Sequence, residues 1–178
     1  MDNYRRLLAL CGEFDRRELS HERFMEECTR LLAGVIGCTR VGIWLFEDAI
    51  DGRVLRCLSL YDGAKDRMAR VPDETSVQVG AYFEALEQVG HVLANDARTH
   101  PATAGFFSEK VSVNGVRSLM AASFSVNGRL FGAFTCTQTT ITEWSPTQLA
   151  ILKRMGARVS LALANAARTS QTTLPMPL

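Results

Sequence analysis

Between residues 20 and 37 the chain reads "SHERFMEECTRLLAGVIG", with Phe24, Cys28, Leu31 and Val35 recurring at helical spacing. Ser20 can accept from the free amides of the first turn and Gly37 can take the left-handed backbone that stops the last, which predicts an amphipathic helix. The alternation then changes to period two. In "RVGIWLFE", Val41, Ile43 and Leu45 share one side of a strand while Gly42, Trp44 and Phe46 share the other, so both faces are expected to be buried in a central strand. Asp51-Gly52 is a hairpin signal, and "RVLRCLSLY" reads as the antiparallel partner.

The polar connection "YDGAKDRMARVPDETS" has room for a short edge strand near Met68 to Val71, and "SVQVGAYFEALEQVG" predicts a short helix with Val79, Phe83 and Leu86 inward. "HVLA" is a short strand, followed by a turn and by Pro101 at the first turn of another short helix. In "VRSLMAASFSVNGRLFGAFTCTQ" two strands meet at Asn127-Gly128, the dipeptide suited to the positive backbone angles of a tight hairpin. Gly132, after it, is expected to let a helix pack closely on the strand. "WSPTQLAILKRMGARVSLALANAAR" opens with Ser145 as cap, Pro146 at the first helical position and Gln148 as reciprocal partner, which predicts a long final helix. "TSQTTLPMPL" has no periodicity and is expected to be a linker or tail.

Composition narrows the classes. With 178 residues, 47% hydrophobic and 22% charged, the chain fits one compact domain. The 20 basic and 19 acidic residues leave +1, and no stretch gathers Lys and Arg into a phosphate-binding patch, so nucleic acid is not an expected partner. No apolar run reaches the roughly 18–20 residues of a membrane span, and the N-terminus lacks a signal-peptide pattern, which leads us to expect a cytoplasmic protein without a membrane partner. Five cysteines at 11, 28, 38, 57 and 136 form no CxxC pair and are read as reduced thiols. His91 and His100 have no ligand set around them, so no metal is expected.

With this order of elements, the chain resembles the GAF domain family over about residues 20–168. The likeness is carried by the helix–strand–strand opening and by "YFEALEQVGHVLANDARTHPATAGFF", "GVRSLMAASFSVNGRLFGAFTC" and "WSPTQLAILKRMGARVSLALANA". The resemblance implies an α+β, GAF-like (PAS-related) fold: a central antiparallel sheet with the terminal helices on one face and short helices over a cavity on the other. It divides the chain into an N-terminal helix at 1–19, a sensory domain at 20–168 and a flexible tail at 169–178. The implied function is non-catalytic: binding of an unidentified small molecule, with the signal passed to an output domain such as a histidine kinase or diguanylate cyclase.

The expected cavity wall is Trp44, Phe46, Tyr82, Phe83, Phe106, Phe107 and Met120, with Asp96 beside it, more a partner for turn amides than a catalytic acid. Leu7, Leu8, Leu10 and Phe14, with the apolar strips of the last helix, are expected to join two copies through the terminal helices. Alternatives are a pure dimerisation module with a filled cavity and a cysteine-dependent free methionine sulfoxide reductase. The last needs cysteines clustered at the cavity, and none lies between Cys57 and Cys136. The family's cyclic-nucleotide constellation and its Cys-His bilin attachment are not found in the sequence. No cofactor is assigned.

Overall fold

A computed structural model describes residues 2–50, 52–70, 74–105, 115–126 and 128–172. Two helices open the chain, α1 (Asp2–Asp15) and α2 (His21–Ile36), followed by strands β1 (Arg40–Ala49), β2 (Gly52–Asp62), β3 (Arg67–Met68) and β4 (Glu74–Thr75). Helix α3 (Ser76–Gln88) leads into β5 (His91–Ala94), β6 (Ser118–Val126) and β7 (Arg129–Gln138), and α4 (Pro146–Thr172) closes the described chain. The strands form one antiparallel sheet in the order β3-β2-β1-β7-β6-β5, with β4 also paired to β2.

Local chemistry places the helix ends where the sequence predicts. The Ser20 hydroxyl accepts from the Arg23 amide, and Gly37 closes α2 with a φ of 73°. At α4 the capping box is complete: the Gln148 amide donates to Ser145 Oγ at 3.1 Å and the Ser145 amide donates to Gln148 Oε1 at 3.0 Å. Gln148 Nε2 also donates to the Ile36 carbonyl at 3.0 Å, tying the start of α4 to the end of α2. Gly128 has a φ of 77° in the β6–β7 turn, while Asn127 beside it lies outside the described residues, as do Asp51 of the first hairpin, Val71 and the 173–178 part of the expected tail. The side chain of Val79 also lies outside the description.

The sheet has two buried faces. On one, Val41, Ile43, Met120, Ala122, Phe124, Phe134 and Cys136 pack against the terminal helices, with α2 over β1 and β2 and α4 over β6. On the other, Leu55, Val92, Leu119, Ala121 and Ala133 pack against Tyr82, Phe83 and Leu86 of α3. Alternation along each strand sends neighbours to opposite faces. The whole arrangement is therefore three layers around the sheet.

Several details differ from the sequence reading. The buried stripe of α2 runs through Phe24, Cys28, Leu32 and Ile36, with Leu31 and Val35 only half-buried, because four-residue steps follow the 3.6-residue turn along the sheet. Gly132 does not admit a helix: a Cβ there would sit 2.1 Å from the Trp44 carbonyl oxygen and 2.6 Å from the Phe124 ring, so it admits strand β1 and that ring. The helix–sheet close approach belongs to Gly156 of α4, where a Cβ would meet the Phe134 ring at 2.7 Å. α4 also runs to Thr172, into the segment expected to be tail.

α1 is part of the same body. Leu7, Leu10, Cys11 and Phe14 are buried against α2 and α4, Phe14 stacks on Phe24 with centroids 4.2 Å apart, and the Arg154 guanidinium lies 3.9 Å over the Tyr4 ring. Leu7, Leu10 and Phe14, expected as dimer surface, are thus occupied within one chain. Of that group Leu8 remains exposed.

Candidate ligand-binding site

The sheet face under α3 is the site's floor. Trp44 and Phe46 point to it from β1, and Cys57 and Leu55 stand opposite them on β2 in register. Gly42, two residues before Trp44 on the same face, leaves the space the indole needs: a Cβ at Gly42 would lie 2.4 Å from Trp44 Nε1. The indole Nε1–H then donates to Thr135 Oγ1 on β7 at 2.9 Å. The ring is therefore oriented by a hydrogen bond, and its polar edge is satisfied without a ligand.

The roof comes from α3. Tyr82 and Phe83 are buried, and the Phe83 ring meets the Phe46 ring edge-on with centroids 4.8 Å apart. Burial alone pushes the Tyr82 hydroxyl above its ordinary pKa, so it stays protonated as a donor. Trp44, Phe46, Tyr82 and Phe83 are thus brought together as the sequence reading required. Phe106 and Phe107 lie outside the described residues.

Met120 does not belong to this group. It is paired with Cys136 and Leu93 and is fully buried in the helix-side cluster, because β6 sends Leu119 and Ala121 to the α3 face and therefore Met120 to the other. Sequence reasoning missed Leu119, Ala121, Ala133 and Thr135, which make the floor in its place. For Leu119 and Ala121 the signal was present as alternation in "SLMAASF", but with apolar residues at both parities the sequence could not choose the face.

Asp96 stands at the edge of the site and is held by the chain itself. Its Oδ1 accepts from the Arg98 amide at 3.1 Å and its Oδ2 from Arg117 Nη2 at 2.9 Å. These contacts, the Arg98 amide first and the Arg117 guanidinium after it, hold the carboxyl below its usual range. A carboxylate whose pKa is lower folded than unfolded stabilises the fold above the unfolded value of about 3.9, and that contribution is lost as pH falls through the folded value. Acid titration followed by circular dichroism should therefore show a flatter stability–pH curve below about pH 4 for Asp96→Asn than for the parent chain. An unchanged acid limb would show that this contact carries no stability.

Across the opposite end of the face Arg53 pairs with Glu87 and Asp48. Among the described residues the charges at the two ends of the floor are thus ion-paired, and the middle is apolar and aromatic. Among the described residues no group of His, Cys, Asp and Glu could hold a metal ion, and no helix is long and apolar enough to cross a membrane.

Sequence and fold comparisons agree on the class. The model of the GAF domain family matches residues 20–163, and the chain belongs to that family. No curated protein matches the sequence. Among solved structures, the phycoerythrobilin-bound GAF domain from a cyanobacterial phytochrome is similar with a TM-score of 0.74 at 16% identity, covering 96% of this chain and 98% of that one. A domain of a two-component sensor histidine kinase protein described as putative, from Sinorhizobium meliloti 1021, gives 0.63 at 14% identity, covering 87% and 99%. Free methionine-R-sulfoxide reductase from Neisseria meningitidis, in complex with its substrate, gives 0.65 at 12% identity, covering 92% and 91%.

Proposed function

We propose that the chain is a non-catalytic sensory or regulatory domain that takes a planar, largely apolar small molecule against Trp44 and Phe46. The observation that carries this reading is the oriented indole on an uncharged floor, with Gly42 and Thr135 holding its plane. An aromatic face offers a planar ligand a large contact at little entropic cost. Tyr82 supplies a buried hydroxyl, and Arg117 with Asp96 a polar edge.

Ligand binding on this reading acts on the roof helix α3 and biases the helices on the far side of the sheet. A tenfold change in output needs about 1.4 kcal/mol of differential affinity between the two arrangements. The output domain is proposed to be a histidine kinase or diguanylate cyclase in the same or a partner chain, in the cytoplasm.

Cysteine placement supports a binding role over reduction of methionine sulfoxide. Cys57 is the one cysteine on the site face, while Cys11, Cys28, Cys38 and Cys136 are buried on the helix side, the thiols of Cys11, Cys28 and Cys136 pushed up by burial. A thiolate attack followed by resolution needs two cysteines at one cavity.

Native mass spectrometry of the purified chain tests the reading. The expected result is a retained small molecule that is lost in Trp44→Ala. A chain that carries none, and whose Trp44 emission in a Trp144→Phe background ignores every planar aromatic compound offered, would favour the filled-cavity dimerisation module instead.

Association of two copies through α1 and α4 has less surface than the sequence suggested, with Leu8 of α1 as its exposed large side chain. We propose a weak homodimer. Sedimentation equilibrium should show a concentration-dependent dimer that is diminished by removing residues 1–14, and a strictly monomeric chain would exclude it.

A further inference from the structure

On the face of the sheet opposite to the proposed ligand site, a groove of about 1140 Å³ runs beneath the C-terminal half of α4. Its floor is Leu45, Leu58, Phe124 and Phe134, and Phe131 and Leu161 line it while remaining 46% and 47% exposed. Nothing within the described chain covers these two side chains. We propose that this groove seats an acidic amphipathic helix from another polypeptide.

The groove has the shape of a helix seat. Ala157, Ser160, Ala164 and Ala167 line the α4 wall, and these small residues leave a shallow channel in which another helix can come close. Large apolar anchors at i, i+3, i+4 and i+7 would meet Phe131, Leu161 and the floor.

Charge decides between occupants. The titratable residues among the described lining are His21, Arg56, Lys153 and Arg168, with no carboxylate. Glu47 reaches Arg56 from outside the lining at 3.1 Å. α4 itself carries Lys153, Arg154, Arg158 and Arg168 and not one Asp or Glu over its length. A second copy laying its own α4 in the groove would bring like charges together, which costs affinity and rejects that pairing. A helix with Glu or Asp flanking its apolar stripe meets the rim with the opposite sign.

The probe is a fluorescein-labelled 18-residue peptide with Leu at the i, i+3, i+4, i+7 positions, Glu on both flanks and Ala elsewhere, read by fluorescence polarisation against the full chain. A second peptide carries Lys for every Glu. We expect the Glu peptide to bind at least about tenfold tighter than the Lys peptide and to weaken with added salt. Ala164→Trp, which fills the channel, and Lys153→Glu, which reverses the rim, should each lower affinity by about tenfold, while Lys65→Glu, outside the groove, should not. If Ala164→Trp fails to fold by circular dichroism, Lys153→Glu carries the test. The proposal is overturned by no binding of the Glu peptide, by equal binding of both peptides, by groove variants that bind like the parent, or by self-association of the chain that Ala164→Trp abolishes. None of these outcomes depends on a ligand at the Trp44 site.

Discussion

Phe134→Ala is expected to cost about 3–5 kcal/mol of folding stability, the loss typical of a fully buried phenylalanine reduced to a methyl group. Phe134 is 1% exposed, its ring lies 5.1 Å from that of Phe124, and the backbone of Gly156 rests directly on it. It therefore joins β7, β6 and α4 at one point. The cavity left behind cannot collapse easily, because α4 is already as near the sheet as a glycine allows. Since a domain of this size has roughly 5–15 kcal/mol to lose, the variant should melt much earlier or fail to accumulate. Denaturant titration followed by circular dichroism measures the loss, and a change under about 1 kcal/mol would mean that the α4–sheet contact repacks.

Gly132→Ala and Gly42→Ala should part company, although both add one methyl to a central strand. At Gly132 the new Cβ meets the Trp44 carbonyl oxygen at 2.1 Å, a backbone atom of the neighbouring strand that cannot yield without opening the β1–β7 ladder. The expected cost is about 3 kcal/mol, at the upper end of overpacking effects. At Gly42 the nearest atoms are side-chain atoms, Trp44 Nε1 and Thr135 Oγ1 at 2.8 Å. The indole can swing aside, so the expected lesion is loss of the Trp44–Thr135 hydrogen bond, a cost nearer 1 kcal/mol and a displaced site floor. Thermal melts paired with Trp44 emission in the Trp144→Phe background separate the two. Equal melting losses would show that the strand, not the indole, absorbs the methyl at Gly42.

The helix ends, by contrast, are fixed by residues close in sequence. Ser20 and Gly37 at the ends of α2, and Ser145, Pro146 and Gln148 at the start of α4, act on amides within four residues of themselves, so their roles follow from local spacing. The β6–β7 hairpin and the partner of β1 are equally local. The resemblance to the GAF family over about residues 20–168 was read from the order of such elements, and the family model matches residues 20–163.

The choice of face was not local. Leu119, Met120 and Ala121 are all apolar, and a strand buried on both sides carries no polar alternation to say which residue looks at α3. Trp44, Phe46, Tyr82 and Phe83 were legible as neighbours because the aromatic positions of β1 and α3 agree in period with a sheet face and a roof. Met120 was placed wrongly for want of any such signal.

Periodicity determined that Leu7, Leu10 and Phe14 would be buried, and only the folded chain decided that α2 and α4 of the same molecule bury them. An apolar stripe states that it must leave water but does not name its partner, since the hydrophobic effect has no direction. The same holds for Gly132 and Gly156, whose neighbours Trp44 and Phe134 lie far away in the chain, and for the groove under α4. Local hydrogen bonding and side-chain period are written residue by residue; contacts between elements arise only when the sheet sets their distance.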